Sequence, residues 1–200
     1  MSSPAPPVEA KRYPRADAIA VAKELCDALK PFCWSGRLIL AGSLRRRKPT
    51  VKDIEILYVS KVTPAPADDF FKEARTLALV DHVLERLLAL GTIAKRKNVN
   101  GSEMWGAKNK LAVHVASGIP VDLFAATEEN WFNYLVCRTG GAENNVAICN
   151  AAIARGWKWN PYGPGFSKQT GLSNTTEVML SERAVFEFVG LPYKEPWERT

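Results

Sequence analysis

The chemistry-bearing part of the sequence is the run Ala41-Gly-Ser-Leu-Arg-Arg-Arg-Lys-Pro-Thr-Val-Lys-Asp-Ile-Glu-Ile-Leu. In an extended strand alternate side chains share a face, so Asp53 and Glu55 project together while Ile54 and Ile56 point into a core. Two such carboxylates repel each other unless positive charge lies between them. A pair of hard divalent cations such as Mg2+ supplies it, with oxygen ligands drawn partly from protein and partly from phosphates. Upstream, Gly42-Ser43 follows a predicted strand and opens onto the basic run. Glycine lets a phosphate approach the backbone closely, a serine hydroxyl and exposed N–H groups can hold its oxygens, and Arg46 can neutralise its charge. That combination suits a triphosphate. Asp122, in the strand-like Val-Asp-Leu-Phe, is a third carboxylate that a neighbouring strand could present where one metal activates an attacking hydroxyl. Taken alone, Asp-Ile-Glu beside three arginines also reads as a solvated salt-bridge face. Specificity comes from the order: strand, Gly-Ser, basic run, paired acids, later strand acid.

These residues need elements to position them. Apolar spacing through Ile19, Ala22, Cys26 and Leu29 predicts a helix over 16–29, stopped by Pro31. Arg37 to Ala41 reads as a buried strand, Gly42-Ser43 as a turn, and Asp53 to Val59 as a second strand. The Pro-rich stretch from Val62 to Ala67 leads into a helix carrying Leu77, Val80, Leu84 and Leu87 and ending at Gly91. Asn100-Gly101 marks a hairpin turn, and Lys110 to Val115 and Val121 to Phe124 read as strands. Thr127 is expected to cap a helix with Glu128 and Glu129 in its first turn, ending near Thr139-Gly140-Gly141. A helix over 144–155 follows, and a last one is capped by Ser181 and stopped by Gly190 and Pro192. The expected division is a loose arm over residues 1–11, a mixed α/β half over 12–126 and a mainly helical half with short strands over 127–200.

At 200 residues, with 46% hydrophobic and 24% charged, the chain has the composition of a globular protein, which excludes global disorder. No uncharged apolar run approaches the roughly 20 residues that span a bilayer, and the start has no apolar signal core, so a cytoplasmic protein without membrane partners is expected. Cys26, Cys33, Cys137 and Cys149 have neither C-x-x-C spacing nor nearby histidines and read as free, packed thiols. A net charge of +6 and a pI near 9.2 point to an anionic partner. The charge is clustered in Arg45 to Lys48 and in Lys95, Arg96 and Lys97. The second cluster, beside the Asn-Gly turn, together with Lys108 and Lys110, is a candidate grip on a nucleic-acid backbone, with a solvated loop as the alternative. Trp105, Trp157 and Trp159 could stack on bases or serve as core.

The residues quoted above resemble a known family. Gly42-Ser43-Leu44-Arg45-Arg46, Asp53-Ile54-Glu55 and Val121-Asp122-Leu123-Phe124 are similar to the palm of the polymerase X nucleotidyltransferases, the group containing DNA polymerase beta. Arg138-Thr139-Gly140-Gly141, Glu143-Asn144-Asn145-Val146, Asn160-Pro-Tyr-Gly and Phe186 to Arg199 are similar to its thumb. The resemblance runs from about Tyr13 to Arg199. It implies an α+β palm with a mixed sheet and flanking helices, followed by a mainly helical thumb. It also implies two Mg2+ or Mn2+ ions held by Asp53, Glu55 and Asp122, and a triphosphate held by Gly42, Ser43, Arg46 and Arg15. The sugar and base of the nucleotide would be met by Thr139, Gly140, Gly141 and Asn145. The implied partners are a primer-template or gapped DNA and a dNTP, and the implied state is a monomer.

The departures carry expectations too. Glu55 stands where the family usually has aspartate. Cys137 and Arg138 replace aromatic residues before Thr-Gly, and Cys149 replaces an arginine that meets the nascent base pair, so low fidelity is expected. Nothing before the palm resembles the family's lyase and helix-hairpin-helix segments, so no lyase activity and a weak grip on DNA are expected. The implied function is nucleotidyl transfer by two-metal catalysis, most simply a small DNA polymerase. Transfer to RNA, protein or a small molecule, or an inactive nucleic-acid-binding module, are the alternatives.

Overall fold

The computed structural model describes residues 11–65 and 76–200. The arm expected over residues 1–11, apart from Lys11, and the Pro66-Ala67 end of the Pro-rich stretch lie outside the described residues. The first half runs β1 (Tyr13–Pro14), α1 (Arg15–Leu29), a 3-10 turn (Lys30–Phe32), β2 (Cys33–Leu40), α2 (Gly42–Arg45), β3 (Thr50–Val51), β4 (Ile54–Ser60), β5 (Val62–Pro64), β6 (Thr76–Ala78), α3 (Leu79–Ala89), β7 (Ile93–Lys95), β8 (Asn109–His114) and β9 (Pro120–Ala125). The second half runs α4 (Trp131–Thr139), α5 (Ala142–Ala154), β10 (Lys158–Trp159), β11 (Gly165–Thr170), β12 (Ser173–Val178) and α6 (Glu182–Phe188).

A five-stranded mixed sheet, in the order β2-β4-β9-β8-β7, carries the first half. Only its β4–β9 pair is parallel; the other pairs are antiparallel. Period-two alternation gives the sheet two apolar faces. Ile54, Ile56, Tyr58, Val121 and Leu123 pack on the α1 and α3 side, against Ala18, Ala22, Leu25, Val80 and Leu84. Leu57, Val59 and Phe124 face the other way, onto Trp131, Tyr134 and Leu135 of α4. A separate cluster over α4, α5 and α6 buries Val136, Ile148, Trp159, Phe166, Val185 and Phe186 beside the small β10-β11-β12 sheet. The architecture is therefore the expected mixed α+β fold followed by a mainly helical part. Among the described residues no helix is long and apolar enough to cross a membrane.

Edge strand β2 is irregular: Cys33 pairs with Ser60 and Leu38 with Tyr58, so β2 advances five residues while β4 advances two. The surplus swings Trp34 to Arg37 out of the ladder, with Gly36 at φ +70° supplying the turn.

Several local expectations shift. Leu77 belongs to β6, paired with Thr63, because a short ladder with β5 captures it; the helix begins at Leu79. Gly42-Ser43 is the first turn of a four-residue helix. Thr127 does not cap α4: its N–H donates to Asn130 Oδ1 (2.7 Å) and its hydroxyl accepts from Asn130 N–H (3.3 Å), closing a turn that carries Glu128 and Glu129 before the helix starts at Trp131. Ser181 does cap α6, accepting from Ala184 N–H at 3.0 Å. All four cysteines are free. Trp159 is core: it is buried, stacked on Phe166, and its indole donates to Asn133 Oδ1 at 2.6 Å.

Candidate active site

The parallel register of β4 and β9 sets Ile54 opposite Val121 and Glu55 opposite Asp122. With Ile54 and Val121 both fully buried on one face, Glu55 and Asp122 are forced side by side onto the other. Further along that face Leu57 and Phe124 disappear under α4, so the helix covers the strands where they are apolar and stops where they turn acidic. Asp53 immediately precedes β4 and is electrostatically coupled to both acids.

Gly42 closes the other wall. Its φ is +55°, and a Cβ there would collide with the carboxylate of Glu55, so the start of α2 lies directly against that acid. Ser43 follows at this wall, half-buried, and its carbonyl accepts from Lys48 N–H at 3.0 Å.

The electrostatics match a group of crowded, partly dehydrated acids. Burial, then the charges of Asp53 and Asp122, push Glu55 up to about 7 against the opposing Arg138 and Arg46. Burial also raises Asp122, opposed first by the charge and hydrogen bond of Arg96, and raises Asp53, opposed by Arg96, Lys52 and Arg46. Arg96 forms a direct ion pair with Asp122. Arg138 lies 3.7 Å over the Phe124 ring and brings Nη1 to 4.0 Å from Glu55 Oε1. Guanidinium groups thus pair with two of the acids, and among the described residues no set of three Asp, Glu, His or Cys side chains is gathered tightly enough to grip a metal ion. The donor set is nonetheless the one a hard cation takes: three partly buried carboxylates, with the charge of Asp53 adding to the rise of both Glu55 and Asp122. These residues fit divalent metal.

The remaining predicted residues fall in several places. Arg46 lies at the same corner, its Nη1 donating to the Thr139 carbonyl at 2.5 Å while its Nε is buried without a partner. Thr139 and Gly140 are buried at the end of α4, and Gly141 begins the turn into α5. A Cβ on Gly140 would collide with the side chain of Asn145, whose amide donates to the Cys137 carbonyl at 2.9 Å. Arg15 begins α1 and lines a groove between α1 and β2. Arg96, expected on a nucleic-acid surface, instead reaches Asp122. Lys95 is exposed with its ammonium 5.3 Å from the Trp105 ring, and Lys97 and Lys108 are exposed. Lys110 is a correction: it is 3% exposed, with Nζ bonded to the Gly106 carbonyl and to Asp81 Oδ1, both at 2.9 Å, so it serves the interior.

Spacing did not indicate one cluster. Arg45 of α2 makes a two-pronged pair with Glu182 of α6 (2.5 and 2.9 Å), and also donates to Thr139 Oγ1 at 2.6 Å. Arg199, fully buried, donates to the same Glu182 at 2.7 Å. This network ties the Gly-Ser corner to the last helix.

Residues 123–200 match the DNA polymerase beta thumb family. The DNA polymerase/3'-5' exonuclease PolX of Bacillus subtilis (strain 168) is 28% identical over 186 residues, which is 93% of this chain; the chain spans only 28% of that relative's length. The crystal structure of the Leishmania infantum polymerase beta ternary P/T complex shares the fold with a TM-score of 0.68 at 18% identity, over 95% of this chain and 77% of that one. Residues 123–200 thus resemble the polymerase beta thumb, and the chain is similar to a PolX protein in sequence and to a polymerase beta in fold.

Proposed function

We propose that the protein is a metal-dependent nucleotidyltransferase acting as a small DNA-directed DNA polymerase, with residues 12–126 as its palm and 127–200 as its thumb. It would add dNMP from a dNTP to a primer 3′ end or into a short gap. The observation that carries this reading is the in-register pairing of Glu55 with Asp122 against the Gly42 wall.

Asp53, Glu55 and Asp122 are the residues that would hold Mg2+ or Mn2+. When bound, such ions polarise the phosphate and make a hydroxyl a better nucleophile. The protein's own share is positioning. Glycine at position 42 brings backbone close to Glu55, so a phosphate held by Ser43 lies next to the acids. Arg46 supplies charge to that phosphate, and its bond to the Thr139 carbonyl couples phosphate binding to the end of α4. Thr139, Gly140, Gly141 and Asn145 form the adjoining wall for sugar and base. Arg96, which pairs with Asp122, would have to release that carboxylate for it to hold a cation; Lys95 and Lys97, exposed nearby in sequence, would face a polynucleotide backbone.

Primer extension on a one-nucleotide-gapped duplex, with Mg2+ or Mn2+ and single dNTPs, tests this. Template-matched addition that disappears in Asp53→Ala and Asp122→Ala, with unchanged melting, supports the assignment. Absence of extension with either metal, or turnover retained in both variants, refutes it.

A further inference from the structure

Away from the acids, a groove of about 870 Å3 opens between α1 and the edge strand β2. Six cationic side chains line it against one acid, Asp27. Arg15, Lys23 and Lys30 come from α1 and the turn behind it, Arg45 and Arg47 from α2 and the following loop, and Lys61 from the end of β4. Three of these are already engaged: Lys23 binds Asp27 at 2.6 Å, Arg45 holds Glu182, and Lys61 donates to the Pro31 carbonyl at 2.8 Å. The other three have no acidic partner among the described residues. Lys30 is exposed, Arg47 is exposed and lies 3.9 Å over Trp197, and Arg15 keeps a buried Nη1 with no hydrogen bond at all.

The floor is of the opposite character. Ile19, Cys26, Leu38 and Leu40 make it apolar, and at its end Trp34, thrown outward by the β2 bulge, is 52% exposed. A half-exposed tryptophan beside unpaired cations presents a flat π-face and phosphate-sized positive sites together. A duplex hides its base faces and would use only the cations; a single strand offers both base faces and phosphates, which is how sequence-tolerant strand binding works. The groove follows α1, about 22 Å long for its 15 residues, which suits a strand at the short end of sites of about 4–16 nucleotides. Its near end shares α2 with the active-site corner, since Gly42 lies against Glu55 while Leu44 and Arg45 line the groove.

We propose that the α1–β2 groove is a single-stranded DNA site, with phosphates held by Arg15, Lys30 and Arg47 and a base stacked on Trp34. The choice of DNA over RNA rests on the polymerase reading; the strand chemistry stands apart from it. Binding is therefore measured on the full chain without divalent cation, by anisotropy of a short fluorescent oligothymidylate, in the parent and on an Asp53→Ala background. Trp34→Ala is expected to weaken binding about fivefold or more, with Trp34→Phe close to the parent. Lys30→Gln is expected to reduce the slope of log K against log salt by about 0.7, the value for one phosphate contact on a single strand, with Lys30→Arg restoring it. Melting temperatures check that each variant folds. Equal affinity and slope in Trp34→Ala and Lys30→Gln overturn the proposal, as does oligouridylate binding about tenfold tighter than oligothymidylate. Loss of strand binding in these variants with gap filling intact separates this site from the carboxylate chemistry.

Discussion

Glu182 is where one substitution should cost most. Its carboxylate accepts two hydrogen bonds from Arg45 and one from Arg199, and the three side chains are 12%, 16% and 0% exposed respectively. Replacing it with alanine leaves two neighbouring guanidinium groups without their acid, Arg199 fully buried. Breaking a buried pair by deleting one partner costs about 3–5 kcal/mol, mostly from the charge left behind. For a chain of this size each kcal/mol lowers the melting point by about 2–4 °C, so Glu182→Ala is expected to lose roughly 6–20 °C. Differential scanning calorimetry at moderate salt reads this directly. Glu187→Ala is the control: its 4.0 Å contact with Arg183 is exposed on both sides, so it should move the midpoint by no more than about 2 °C. A shift in Glu182→Ala no larger than in the control would refute the claim that this network clamps α2 to α6.

The same carboxylate sets an acid limit. Burial pushes Glu182 up, but hydrogen bonds and charge from Arg45, then Arg199, outweigh it and hold the group below its ordinary range. Its contribution is thus complete above the unfolded value and is lost as pH falls through the lower folded one. Melting of the parent should fall more steeply below pH of about 4.5 than that of Glu182→Gln, with the two curves converging in acid. Gly42→Ala should combine about 1–3 kcal/mol of positive-φ strain with displacement of Glu55; near-parental gap filling in a folded Gly42→Ala protein would contradict the tight wall. Arg138→Leu removes a positive neighbour of Glu55, so carboxyl NMR of the cation-free protein should show Glu55 titrating above its parental value of about 7; an unchanged or lower midpoint would contradict the arrangement.

What could be read from the sequence was local or periodic. Asp53, Glu55 and Asp122 were legible because strand parity alone separates them from Ile54, Ile56 and Leu123, and the Ser181 cap because capping is decided within one turn. The parallel register that makes Glu55 and Asp122 neighbours depends on a pairing across more than sixty residues, which no window contains. The acid partners of Arg96 and Arg138 were not legible for a related reason: a long flexible arm declares its partner only once the neighbouring strand is placed. Leu77 fits a helical spacing and also a β-bridge, and the ladder with Thr63 decided the matter. Lys110 alternates as an outward residue would, but Asp81 on α3 supplies the charge that lets it turn inward.

Helix α4 belongs to both apolar clusters: Trp131, Tyr134 and Leu135 are fixed in the sheet, and Val136 in the helical part. Mechanically the first two-thirds of α4 is therefore a beam bolted to the sheet, although it lies beyond the division expected at residue 126. Gly140 and Gly141 join α4 to α5, so a swing of α5 and α6 relative to the sheet would turn about them. Such a swing would have to unlatch Glu182 from Arg45 while leaving Arg46 on the Thr139 carbonyl. The corner that would grasp a phosphate, with Thr139, would then travel with the anchored beam, and Asn145 with the moving part.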